Sequence, residues 1–121
     1  MLKNYLIGQN LTSYRKQSKN NACIYVAVGY DKRIGKVIKI GKFENNFAKR
    51  FLNKDYKVNY TSLEVKAILE FDNKADATKF ELYNLYKMIG KTKHYPNDRF
   101  AYKHMDLKFY YSERNWLSVS L

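Results

Sequence analysis

The clearest pattern along the chain is the alternation from Leu63 to Phe71. Leu63, Val65, Ala67, Leu69 and Phe71 share one side, and Glu64, Lys66 and Glu70 the other. A period of two predicts a half-buried strand. Two β-branched and aromatic runs precede it, Cys23 to Gly29 and Val37 to Gly41, and Tyr30 to Lys36 between them carries Gly35 and basic residues. That arrangement predicts a hairpin with a long loop. After the alternating run, Asp72 or Asn73 caps a helix reaching Ile89. Asp76 stands three places after Asn73, as in a capping box, and Gly90 is placed to end the helix. Phe47 and Phe51, four residues apart around Ala48, predict a short helix capped by Asn45 or Asn46 and carrying Arg50. Beyond Gly90, Lys91 to Arg99 reads as a basic loop containing a proline, and the alternation of Leu107, Phe109 and Tyr111 favours a late strand.

One residue breaks the hydrophobic pattern. On a helical wheel Ala77, Leu82, Leu85, Met88 and Ile89 fall on one side, and Glu81 lands among them between Met88 and Leu85. A carboxylate on a core-facing stripe needs a cation, a metal or several donors. Two explanations stay open: an ion pair at the rim of the core, to Arg50 or a lysine, or a carboxylate that binds a divalent cation at the sheet edge.

Length and charge narrow the class. At 121 residues and 45% apolar content the chain fits one domain with one modest core. The division expected is an N-terminal segment and basic linker over 1–21, then one domain over 22–121 with a C-terminal extension from about residue 91. Lysines and arginines number 23 against 11 acids, a formal charge of +12, which favours a polyanionic partner. The single cysteine, Cys23, cannot form an internal disulfide and fits a buried position in a reducing compartment. No run approaches a bilayer-spanning length, so a cytoplasmic protein without a membrane partner is expected. His94 and His104, with no cysteine near them in sequence, make a poor zinc pair. Tyr30, Lys32, Arg33 and Lys36 in the hairpin loop are the better candidates for nucleic-acid contact, since a loop tip is free to enter a groove.

The order of these parts resembles the GIY-YIG nuclease domain, in its phage and mobile-element branch, over roughly residues 22–90. The likeness rests on Ile24-Tyr25, on Lys39-Ile40-Gly41-Lys42, on Arg50, on the alternating strand and on Glu81 in the helix that follows. It implies an α+β fold: a small, mainly antiparallel three-stranded sheet flanked by helices. It also implies that Tyr25 is the first-motif tyrosine, that Gly41 lets the chain bend beside the site, that Arg50 holds a scissile phosphate and that Glu81 binds one Mg²⁺ or Mn²⁺. Lys42 and Lys49 would add phosphate contacts. The chain departs from the family in four places. Cys23 replaces the first-motif glycine, and Lys39 stands where many members have a second tyrosine. One extra residue within Glu44-Asn45-Asn46 makes Lys49 an alternative to Arg50, and the histidine that often follows the glutamate is absent, Asn84 and Leu85 lying there.

Two functions follow as expectations. The first is a metal-dependent endonuclease or nickase acting on DNA through Tyr25 or Lys39 with Arg50 and Glu81, helped in targeting by a homodimer or a protein partner. The second is a catalytically inactive relative that binds nucleic acid, or a phage accessory protein that inhibits a host defence complex.

Overall fold

The two β-branched runs pair as the central hairpin of the fold. In the computed structural model, which describes residues 1–8, 14–43, 58–110 and 114–121, β2 (Ala22–Asp31) lies antiparallel to β3 (Gly35–Phe43), from Cys23 opposite Phe43 to Asp31 opposite Gly35. The connecting loop is only Lys32-Arg33-Ile34, shorter than the expected Tyr30 to Lys36. Its tightness comes from Asp31, whose Oδ1 accepts the backbone N–H groups of Arg33 at 2.8 Å and Ile34 at 3.2 Å. Gly35 follows with φ of 90°, the left-handed conformation that glycine adopts without steric cost.

The alternating run forms β4 (Tyr60–Phe71) and pairs with the other edge of β2. These are the three expected strands, but they are only the centre of a six-stranded antiparallel sheet in the order β1-β4-β2-β3-β6-β5. The expectation of a small three-stranded sheet flanked by helices is therefore corrected. β1 (Leu2–Ile7) pairs with β4, so the N-terminal segment belongs to the sheet. On the far side β6 (Arg99–Ala101) pairs with β3, and β5 (His94–Tyr95) pairs with β6. The added strands are short and lack clean alternation, so no sequence period announces them. They form because the outer edges of β3 and β4 carry backbone donors and acceptors that need partners.

Among the described residues there is one helix of the expected kind, α1 (Lys74–Met88), capped by Asn73, whose side chain accepts the N–H of Asp76 at 2.8 Å. Gly90 just beyond it has φ of 93°. The short helix expected around Phe47 and Phe51, with Lys49 and Arg50, lies outside the described residues.

The two faces of the sheet carry separate cores. On the first, Ile24, Val26, Ile38, Ile40, Leu69 and Phe71 pack against Ala77, Phe80, Leu85 and Met88 of α1 and against a second hairpin, β7 (Asp106–Tyr110) with β8 (Trp116–Ser120). Phe80 bridges them, its ring 4.9 Å from that of Phe71 and 5.9 Å from that of Phe109. This rotates the helix relative to the expected wheel: Phe80 and Asn84 are inside, while Leu82 and Ile89 are exposed. On the second face Cys23, Tyr25, Ala27, Phe43, Val65 and Ile68 form a smaller cluster.

β4 serves both cores through a bulge. Val26 pairs with Ala67 but Ala27 pairs with Val65, so Lys66 is an inserted residue. Leu63 and Val65 thus turn to the second face while Ala67, Leu69 and Phe71 stay on the first. The unbroken alternation had hidden this switch, and with it the burial of Glu70.

Candidate nucleic-acid interface

Strand alternation places Asp31, Lys39 and Arg99 on one face. Lys39 pairs with Ala27 on one side and Arg99 on the other, and Asp31 lies at the end of the same β2 row. Together with Arg33 they border a cleft of about 280 Å³ between the β2–β3 loop, the β5–β6 loop and the start of β4. Ile34, Asn59, Tyr60 and Asn97 complete its lining. The β5–β6 loop is Pro96-Asn97-Asp98, with Asn97 and Asp98 at φ of 63° and 57°, a conformation their short polar side chains tolerate.

Asp31 organises this cleft. Oδ1 closes the hairpin loop, and Oδ2 receives a hydrogen bond from Arg99 Nη1 in an ion pair whose carboxylate is almost wholly buried. Burial pushes the Asp31 carboxyl up, but the Arg33 N–H, the Arg99 guanidinium and the Ile34 N–H outweigh it and hold the carboxyl below the usual carboxylate range. Arg99 is fixed a second time by Nε donating to Pro96 O at 2.9 Å. Lys39 Nζ donates to the Asn97 carbonyl, which ties the strand to the neighbouring loop. Among the described residues three cations thus share one concavity with a single acid, and that acid is already engaged.

Of the residues singled out in the sequence, Lys39 and Arg33 meet in this cleft, and Lys32 is exposed on the loop beside it. Lys36 is also exposed but belongs to the opposite face, its Nζ 3.8 Å from the Tyr102 ring centroid and 6.0 Å from that of Tyr30. Lys42 is partly buried and donates to Thr78 Oγ1 of α1 at 3.1 Å, joining sheet to helix. Lys49 and Arg50 lie outside the described residues.

Tyr25 and Glu81 are not brought together. Tyr25 has no solvent exposure and packs in the second-face core, its ring centroid 6.3 Å from that of Phe43. Gly41 makes room for it: a Cβ at that position would lie 2.5 Å from Cε1, Cζ and Oη of the tyrosine. The glycine therefore stays in a regular strand pair with Tyr25, and close ring packing is its use, where a bend had been expected. Glu81 is half-buried on α1, the layer that covers the first face, so the sheet separates the two.

A hexacoordinate Mg²⁺ held by one carboxylate draws its other ligands from water and substrate phosphates. Among the described residues no three of His, Cys, Asp and Glu come together, and the cationic cleft opens on the face away from Glu81.

No family model, curated protein or solved structure matches this chain. No helix among the described residues is long and apolar enough to cross a membrane.

The sequence pattern missed two groups. Asp31 and Arg99 were legible only as loop residues, within Tyr30 to Lys36 and Lys91 to Arg99. Glu70, fully buried, accepts from Tyr14 Oη, from Asn21 Nδ2 and, at 2.9 Å, from the Gln17 N–H. Burial, followed by the Glu70 carboxylate, pushes the Tyr14 hydroxyl up and the neighbouring Cys23 thiol up to about 12. This network fastens residues 14–21 across the sheet and gives Cys23 the character of an inert core side chain.

Proposed function

We propose that this chain binds nucleic acid through the tip of the β2–β3 hairpin and the adjoining cleft, with Arg33, Lys39 and Arg99 holding backbone phosphates. The observation that carries the reading is the convergence of three cations on one concavity whose only acid among the described residues, Asp31, is engaged by Arg99 and the loop backbone. Lys32 and Lys36 extend the positive surface around the tip, so the hairpin presents cations on both faces. Arginine gives a fork that matches two phosphate oxygens, and lysine a point charge. Contacts of this kind position a protein on the backbone and carry little sequence information.

Binding of a labelled 20-nucleotide DNA, followed by fluorescence anisotropy, tests this reading. With three phosphates neutralised on a duplex, affinity should fall roughly 40-fold between about 50 and 200 mM salt. Absence of binding at low salt would refute it.

A hydrolytic reading has one observation in its favour: the two motif segments lie side by side, Tyr25 opposite Gly41 and Ala27 opposite Lys39. The burial of Tyr25 and the position of Glu81 behind the sheet weigh against it. Incubation with supercoiled plasmid and Mg²⁺ or Mn²⁺ separates the two. The binding reading expects intact plasmid, whereas nicking by wild type that is lost in Glu81→Gln would support an endonuclease.

A further inference from the structure

We infer that the cleft bordered by Arg99, Lys39 and Tyr60 accepts one unpaired nucleotide, its phosphate on the two cations and its base against the tyrosine ring. This rests on the nucleic-acid reading above and deepens it by naming the form of the ligand.

The lining is the first ground. A surface that only tracks phosphates needs charge alone, but here the residues bordering the cations include a tyrosine, Tyr60, and two asparagines, Asn59 and Asn97. Ring and amide are the groups that stack on a base and read its edge.

Shape is the second. At about 280 Å³ the cleft approaches the lower end of small-ligand pockets, the scale of one small molecule. In a duplex the bases are stacked inside and the backbone is the outer ridge, so a paired base cannot enter such a recess without being extruded. A nucleotide in a single strand has already lost its pairing partner, so its base is free to enter.

Rigidity is the third. Arg99 is anchored at both Nη1 and Nε, and Lys39 is tied to the Asn97 carbonyl. Tyr60 belongs to β4, opposite Asp31 in the sheet. The groups that would meet phosphate and base are thus carried by paired strands and preorganised relative to one another.

The test uses the full chain, labelled with ¹⁵N and titrated separately with adenosine 5′-monophosphate, adenosine and inorganic phosphate. Amide shifts from the monophosphate should cluster at Ile34, Tyr60, Asn97 and Arg99 and exceed those from either component. In parallel, a 12-nucleotide single strand should bind more tightly than its duplex. Tyr60→Leu should weaken the single strand roughly ten-fold, while Tyr60→Phe, which keeps the ring, should restore it. Monophosphate shifts spread over the basic surface, or equal single-strand affinity in wild type and Tyr60→Leu, would overturn the nucleotide cleft even with DNA binding intact. Loss of all DNA binding by wild type would instead remove the broader reading.

Discussion

Arg99 donates to the buried carboxylate of Asp31, 68 residues away in the sequence, and this pair joins the hairpin loop to the edge of the sheet where the cleft opens. The same carboxylate caps the backbone of the loop that carries Arg33. One acid therefore sets the positions of two of the three proposed phosphate contacts.

Asp31→Ala strands a partly buried guanidinium and two loop N–H groups at once. It should destabilise the fold by about 3 kcal/mol, read from urea unfolding midpoints. Asp31→Asn, which keeps an acceptor for the loop, should cost less. Equal stability of wild type and Asp31→Ala would mean that the pair contributes nothing net.

The pH dependence has a definite sign. The Asp31 carboxyl is held below its ordinary value, so its stabilising contribution is complete above the unfolded-state pKa of about 3.9 and is lost as pH falls through the lower, folded-state value. The stability gap between wild type and Asp31→Asn should therefore narrow only below about pH 4 and stay constant from there to neutrality. Urea titrations at several pH values read this directly. A gap that instead changes around neutral pH would assign the effect to another group.

Gly41→Ala should destabilise by about 1 to 3 kcal/mol, since its methyl would meet the Tyr25 ring at 2.5 Å inside a packed core. In a Tyr25→Leu background the cost of Gly41→Ala should shrink, and a double-mutant cycle measures the coupling. Additive effects would contradict the ring-over-glycine packing.

Glu70→Ala leaves three donors without their acceptor beneath residues 14–21. A loss of about 3 kcal/mol or more is expected, with the largest rise in amide exchange at Gln17, whose N–H bonds Glu70 directly. Cys23, buried and with its thiol pushed up to about 12, should resist alkylation in the folded protein and react only on unfolding.

Much of the centre of this fold was legible in the sequence. The Cys23 and Val37 runs announce their hairpin through β-branched residues, and Asn73, Asp76 and Gly90 mark both ends of the helix. The outer strands were not legible, because Leu2 to Ile7 has no clean period and β5 and β6 are two and three residues long. Such strands owe their existence to an open neighbouring edge, which is a tertiary fact. The bulge at Lys66 misled for a related reason: uninterrupted alternation fixes a face only while the partner strand keeps register. In the C-terminal segment Trp116 is exposed beneath Lys108, and Val119 and Leu121 are the buried residues. Of the candidate site, Arg33 was found from the basic hairpin loop and Lys39 from the motif likeness. Asp31 and Arg99 were missed because their importance comes from meeting each other across the sheet.

The most direct test of the binding account is the salt dependence of affinity for a duplex oligonucleotide, measured for wild type, Lys39→Ala and Lys79→Ala. Arg99 is a poorer target, because its truncation would strand Asp31 and confound folding with binding. The slope of log affinity against log salt should become shallower by about 0.9 in Lys39→Ala. It should keep its wild-type value in Lys79→Ala, whose exposed lysine lies on the helix covering the other face. An unchanged slope in Lys39→Ala, or an equal drop in both variants, would contradict a phosphate site in the cleft.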